Sequence, residues 1–114
     1  MNISITFRQM DATEPVKNYA TEKVAKLQRL LRSPMKAQVT LSTQHRAHSA
    51  EVDIHAGSEH LHAHETSEDM YATIDKVADK LERQIRVHHE ARTNRKGQER
   101  ASERLMAAVG EDED

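Results

Sequence analysis

The fold is decided by residues 37–64, AQVTLSTQHRAHSAEVDIHAGSEHLHAH, in which apolar and polar side chains alternate in three successive runs. The apolar positions of these runs are Ala37, Val39 and Leu41, then Ala50, Val52 and Ile54, then Leu61 and Ala63. A period of two predicts strands with one buried face and one solvated face. The loops at 44–47 and 56–58 are short enough for hairpins, so we predict an antiparallel meander.

Another strand and a helix precede this meander. Residues 2–7 alternate in the same way, with Ile3, Ile5 and Phe7 on one face, which predicts a strand. Thr13 is a candidate N-cap for a helix of about five turns that ends before Ser33-Pro34. The apolar stripe of this helix consists of Val16, Ala20, Val24, Leu27 and Leu31.

A second helix follows the meander. Ser67 is predicted to start it, with Glu68 and Asp69 in a first turn where the helix dipole favours acids. The helix is predicted to end between residues 90 and 96, and its stripe consists of Met70, Ile74, Val77, Leu81, Ile85 and His88. We expect His88 to be a half-buried packing residue.

The predicted order is therefore β-α-β-β-β-α, an α+β fold. A four-stranded sheet with both helices packed on one face buries every apolar stripe and leaves the other face polar. We expect one domain over residues 1–96 and a mobile acidic tail over 97–114, since the tail is mostly polar apart from LMAAV.

Composition narrows the classes of function. The 114 residues include no cysteine, which excludes disulfides and thiol chemistry. No apolar run reaches the length of a membrane span or a signal peptide, so we expect a cytoplasmic chain without a membrane partner. The sequence has no glycine-rich phosphate loop, nucleophile motif or HExxH, so we expect neither enzymatic activity, nor a cofactor, nor a small-molecule substrate.

The net charge of −2 conceals an uneven distribution. Residues 1–96 carry 15 Lys/Arg and 13 Asp/Glu, whereas residues 97–114 carry 2 and 6. No Lys or Arg lies between Arg46 and Lys76, although seven acidic residues do. Basic charge gathered in residues 17–46 and 76–96 favours a polyanionic partner, and the alternative is a solvated salt-bridge surface.

Helical spacing places these cations beside the buried stripes. Lys76, Lys80 and Arg83 form a row along one flank of the second helix. On the first helix Lys23 and Lys26 lie on one flank, and Arg29 lies nearer to solvent. If RNA binds, we expect it to contact the helices by phosphate and shape, because three aromatic residues are too few for a stacking platform.

The histidines offer a second candidate site. His60, His62 and His64 project from one face of a strand, and such residues can ligate zinc or nickel. Further ligands could come from Glu51, Asp53 and His55 on the neighbouring strand. The simpler interpretation is a solvated strand face that binds no metal, and we prefer it.

Several segments resemble one known family. They are Met1-Asn2-Ile3, QMDAT (residues 9–13), KVAKL (23–27), EDMYATID (68–75) and DKLERQ (79–84). Together they resemble the ribosome hibernation promoting factor and ribosome-associated inhibitor A (protein Y) family in its short form, over about residues 1–92. Such proteins have a β-α-β-β-β-α fold.

The resemblance implies a partner and a mode of action. Such proteins bind the small ribosomal subunit and its rRNA in the channel for mRNA and tRNA, block translation and stabilise idle ribosomes. It implies rRNA contacts through helix cations, and the positions that match the family's cations are Lys23, Lys26, Lys80 and Arg83. To these we add Arg29 and Lys76 from their places on the helices, and Arg86 and Arg92 from the last turns of the second helix. Asp69, Met70 and Tyr71 match the family's helix-start motif, whose role is either structural or a contact.

The chain also departs from the family. Val87 and His89 stand where members often carry lysines, and Arg86, Arg92, Arg95 and Lys96 are candidates to compensate. The dimerisation domain of the long form is absent, so we expect a monomer in isolation. Two alternatives stay open at this point: a general double-stranded-RNA-binding module, and a metal-responsive interaction domain that uses the histidine face.

Overall fold

The predicted order of elements is confirmed. The structure, a computed structural model, describes the backbone of residues 1–94 and the side chains of residues 1–90. Its elements are β1 (Asn2–Arg8), α1 (Glu14–Ala25), a 3-10 helix (Lys26–Leu30), β2 (Met35–Gln44), β3 (Ala47–Ala56), β4 (Glu59–Ser67) and α2 (Met70–Asn94). The domain boundary at residue 96 and the tail predicted at 97–114 lie outside the described residues.

The four strands form one mixed sheet in the order β1-β2-β3-β4. β2, β3 and β4 pair antiparallel, as predicted, whereas β1 pairs parallel with β2, with Ile5 beside Val39. A parallel pair needs a crossover connection, which α1 and the 3-10 helix supply.

Two tight hairpins fix the register of the meander. Residues 45–46 connect β2 to β3, and residues 57–58 connect β3 to β4. His45 and Gly57 have positive φ angles of 59° and 63°, as two-residue hairpin turns require. A side chain at Gly57 would also collide with Ser33, whose Oγ would lie 2.7 Å from an added Cβ.

The core lies between one face of the sheet and the two helices. The apolar inward side chains of β2, β3 and β4 are all buried, and so are Val24 of α1 and Leu81 of α2. Ile3, Ile5 and Phe7 are only half-buried because β1 is an edge strand. The opposite face of the sheet is polar, as the alternation predicts.

The first helix differs from the prediction in its last turns. It is α-helical for 12 residues and then continues as a 3-10 helix, instead of forming five α-helical turns. Thr13 is at the N-cap position, but its side chain makes no capping hydrogen bond. One physical reason is Pro15 in the first turn, because proline has no N–H for a cap to bind.

The predicted start of α2 at Ser67 is wrong. Ser67 is the last residue of β4, and Asp69 occupies the N-cap position. The Oδ2 of Asp69 accepts a hydrogen bond of 3.0 Å from the Ala72 N–H, and its carbonyl accepts one of 2.9 Å from the Thr73 N–H. Glu68 and Asp69 therefore precede the first turn.

The expectation for His88 is also wrong, because its side chain is exposed. Ile85 is the last fully buried position described in α2, and the partly buried positions after it are Val87 and His89. His89 lies 3.4 Å from the carboxylate of Glu59, near the turn between β3 and β4. The last described turn of α2 is therefore partly buried at Val87 and His89, and not at His88 as the predicted stripe requires.

Candidate nucleic-acid interface

Five of the predicted rRNA-binding cations are exposed on the layer of the two helices, and four of these have no acidic partner among the described side chains: Lys26, Arg29, Lys76 and Arg83. None of them forms an ion pair within residues 1–90. Their charges are therefore available to an external anion without the loss of an internal contact. We call these four residues the open cations.

Three other predicted cations are paired with acids. Lys23 Nζ lies 3.3 Å from Asp75, Lys80 Nζ lies 3.5 Å from Glu65, and Arg86 Nε lies 3.0 Å from Glu82. These pairs are partly exposed, so each adds little to stability. The side chain of the eighth predicted residue, Arg92, lies outside the described residues, although its backbone is in α2.

The paired cations lie on opposite flanks of α2. Lys23 reaches α2 from the side of α1, whereas Lys80 reaches Glu65 on β4. Gln84 donates a hydrogen bond of 3.3 Å to the His62 carbonyl of β4, which confirms that this flank faces the edge of the sheet. The outer surface of α2 thus lies between Lys23 and Lys80.

Two tyrosines meet where α1 packs against α2. The Tyr19 and Tyr71 rings are edge to face, with centroids 4.9 Å apart, and the Tyr19 hydroxyl donates a 2.5 Å hydrogen bond to Asp75. Lys23 Nζ lies 5.5 Å from the centre of the Tyr19 ring. Because one carboxylate binds both groups, the hydrogen bonds to Asp75 raise the pKa of Tyr19 and of Lys23. We call these four residues the inter-helix cluster.

The polar face of the sheet carries a separate group of side chains. His55 and His60 are opposite each other on β3 and β4, with stacked rings whose centroids are 4.1 Å apart. Both rings contact Asp53, and His62 contacts Glu51 at 2.9 Å. The hydrogen bond from His60 and the nearby histidine charges lower the pKa of Asp53 against the opposing effect of desolvation.

The family follows from comparison with known proteins. The family model described as sigma 54 modulation protein / S30EA ribosomal protein matches residues 3–93. The chain belongs to this family.

In the described part of the chain, no helix is long and apolar enough to cross a membrane.

Similar proteins agree with the S30EA assignment. The ribosome hibernation promoting factor of Azotobacter vinelandii is 31% identical over 103 residues, covering 90% of this chain and 96% of the relative. That of Escherichia coli (strain K12) is 32% identical over 88 residues, covering 77% and 93%. The resemblance seen in the sequence is confirmed.

Solved structures of similar proteins share the fold. The N-terminal domain of Thermus thermophilus Protein Y is 30% identical, with a TM-score of 0.70 over 75% of this chain and 96% of that one. A ribosomal subunit interface protein from Coxiella burnetii has a TM-score of 0.68 over 79% and 99%. At 18% identity, the second likeness shows the fold alone.

The motif that carries the S30EA resemblance has a structural role in this chain. Asp69 caps α2 from an exposed position, Met70 is buried in the core, and the Tyr71 side chain is 39% exposed. The Thr73 hydroxyl is fully buried and lies 3.1 Å from the His48 carbonyl of β3. The motif thus attaches the start of α2 to the sheet, and it presents one aromatic ring at the surface.

Reasoning from the sequence missed the inter-helix cluster. A signal for it exists, because Tyr19 precedes Lys23 by four residues and Tyr71 precedes Asp75 by four. Residues four apart share a helix face, so α1 can present one aromatic ring and one positive charge to α2. In the same way, α2 can present one aromatic ring and one negative charge to α1. Pairing two such faces requires knowing which flanks of the helices meet, and periodicity alone does not give that.

Proposed function

We propose that this chain is a non-enzymatic ribosome hibernation factor that acts in the cytoplasm. It binds the small ribosomal subunit at the tRNA and mRNA channel, competes with both ligands and stabilises idle ribosomes. Membership of the S30EA family and the names of the relatives support a ribosomal partner. The observation that carries the mode of binding is the set of open cations on the helical layer.

The helical layer is the better surface for RNA. The open cations can each neutralise a phosphate and release a counterion, which is the main source of nonspecific affinity for nucleic acid. The opposite face carries Arg8 and Lys36, but Glu51 and Asp53 lie between its histidines. Phosphates approaching that face would meet fixed negative charge.

The paired cations can bind RNA only while they remain next to a carboxylate of the protein. Lys23 and Lys80 would have to share their charge between a phosphate and the carboxylates of Asp75 and Glu65. Changing either lysine to glutamate would also place two carboxylates together, so an effect on binding would not be separated from their repulsion. The open cations are therefore the better positions for a test of binding.

The decisive experiment is co-sedimentation with purified ribosomal subunits at several salt concentrations. The test variant combines Lys26→Gln with Arg83→Gln, and the matched control combines Arg8→Gln with Lys36→Gln on the other face. Each variant removes one lysine and one arginine charge from exposed positions. We expect the test variant to bind the small subunit more weakly and to lower the slope of log affinity against log salt by about 2.

The outcomes separate the proposal from its alternatives. If both variants bind the small subunit as tightly as the wild type, the RNA-binding surface lies elsewhere. If only the control variant loses affinity, that surface lies on the polar face of the sheet. If the wild type does not sediment with the small subunit even at low salt, the proposed function is wrong. If any long RNA duplex displaces the protein from the small subunit, the chain is instead a general double-stranded-RNA-binding module.

A further inference from the structure

Three side chains on the polar face of the sheet converge on one point. The Nε2 of His60 lies 2.7 Å from Oδ1 of Asp53, and the Nε2 of His55 lies 3.1 Å from its Oδ2. The donor atoms of Asp53, His55 and His60 all lie within 4.8 Å of one another. In a tetrahedral zinc site with bonds of about 2.0–2.1 Å, neighbouring ligand atoms are roughly 3.3 Å apart.

The register of two strands holds this arrangement in place. His55 and His60 are direct partners across β3 and β4, and Asp53 is two residues before His55 on the same face. Directly opposite side chains have Cβ atoms about 4.5–5.5 Å apart, so two imidazole rings can reach one ion. Because the turn at residues 57–58 is tight, these ligands are on a rigid hairpin.

The other histidines of β4 lie outside this group. His62 contacts the Glu51 carboxylate at 2.9 Å, and His64 lines the polar pocket beside Arg8 and Glu51. Of the three histidines that the sequence suggested, only His60 joins the convergent donors. The arrangement therefore combines one member of the HxH run with two residues from the neighbouring strand.

The donor set selects a class of ion. Two imidazole nitrogens and one carboxylate oxygen suit zinc and neighbouring divalent transition metals, whereas magnesium and calcium prefer oxygen ligands. The three side chains are 36–59% exposed, so the remaining coordination positions face water. Each ring would bind through a deprotonated Nε2 and keep its proton on Nδ1.

We propose that Asp53, His55 and His60 bind one divalent transition-metal ion, such as zinc, on the polar face of the sheet. In the metal-free protein the two rings are stacked, with planes 9° apart, and they hydrogen-bond to different oxygens of Asp53. The donors are therefore already near one another, and at least one ring turns about its side-chain bonds so that both Nε2 lone pairs meet one ion. The site is on the face opposite the helices, so it does not depend on the proposed ribosome binding.

The test is a titration of the full chain, without an affinity tag, with Zn²⁺ alone at neutral pH. Calorimetry gives the stoichiometry and affinity, and the imidazole proton signals identify which rings respond. We expect one ion per chain, with His55 and His60 responding first and an excess of Mg²⁺ without effect. His60→Ala and Asp53→Asn should each weaken binding at least about 10-fold, because even loss of an outer-shell partner costs about 10–100-fold.

His64→Ala is the matched control, since His64 is exposed on the same strand and face but is outside the cluster. We expect it to bind Zn²⁺ as tightly as the wild type. Amide spectra of each variant would verify the fold, which exposed substitutions should preserve. Three results would overturn the proposal: no stoichiometric uptake by the wild type, unchanged affinity in His60→Ala and Asp53→Asn, or a first response from other histidines.

Discussion

Replacing Thr73 by valine should destabilise the domain while leaving its surface unchanged. Thr73 is fully buried, and its Oγ1 lies 3.1 Å from the His48 carbonyl, 2.8 Å from the Asp69 carbonyl and 2.6 Å from Ser67 Oγ. The hydroxyl has one proton to donate to a carbonyl, and it can accept one from Ser67. Valine keeps the branched shape and removes all of these contacts.

The expected cost follows from these contacts. Leaving buried polar partners unsatisfied costs about 1–3 kcal/mol, and no large cavity forms to add to it. Urea denaturation should therefore show a free energy of unfolding lower by this amount, with an unchanged m-value. In a domain of this size, each kcal/mol lowers Tm by about 4–8 °C. Below its Tm, the variant should still bind ribosomal subunits.

Thr66→Val is the matched control, because Thr66 is exposed on β4 and its hydroxyl bonds only to Ser49 Oγ, at 3.1 Å, among the described residues. We expect it to change stability by less than about 0.5 kcal/mol. A double-mutant cycle of Thr73→Val with Ser67→Ala should give a coupling energy of about 0.5 kcal/mol or more. A loss in Thr73→Val no larger than in the control would refute the role assigned to this hydroxyl.

Further substitutions test the cap, the inter-helix cluster and the core. Asp69→Ala should lower the free energy of unfolding by about 1 kcal/mol in urea denaturation, because it removes the N-cap of α2. In Tyr71→Phe, which leaves one tyrosine, the absorbance of tyrosinate should give Tyr19 a pKa above 10.0, and adding Asp75→Asn should lower that pKa. Because folding raises the pKa of Tyr19, the hydrogen bond from its protonated hydroxyl to Asp75 stabilises the fold below pH 10. This stabilisation is lost as the pH rises through the pKa of Tyr19 in the folded protein. Leu81→Ala should cost about 2–5 kcal/mol in urea denaturation, since Leu81 is fully buried.

Periodicity predicted the fold well because nearly every segment has a single apolar face. Val39, Val52 and Leu61 are buried, as strict alternation requires, and two tight turns leave the meander little freedom. The ends of helices were harder to predict. Ser67 has the chemistry of a cap, but strand pairing with His48 extends β4 through it and moves the cap to Asp69.

The candidate site was predictable only in part. Helical spacing placed Lys76, Lys80 and Arg83 in a row along one flank of α2, and in the structure Lys76 and Arg83 are exposed whereas Lys80 is partly buried. It could not show that Lys80 lies beside Glu65 or Lys23 beside Asp75, because these partners come from other elements. The distinction between open and paired cations is therefore tertiary information, and it changes which substitutions make a clean test of binding.

The alternation that determines the fold also assembles the polar face of the sheet. Burying Val52, Ile54 and Leu61 requires that Asp53, His55 and His60 point to the other face, and the register then makes the two histidines neighbours. A slip of one residue in this hairpin would bury charged side chains, so the packing of the core protects the arrangement of the metal ligands. The open cations of the helices are fixed in the same way, because the buried stripe of each helix sets its rotation against the sheet. Two surfaces with different chemistry, one with permanent positive charge and one with titratable nitrogen ligands, thus follow from a single pattern of burial.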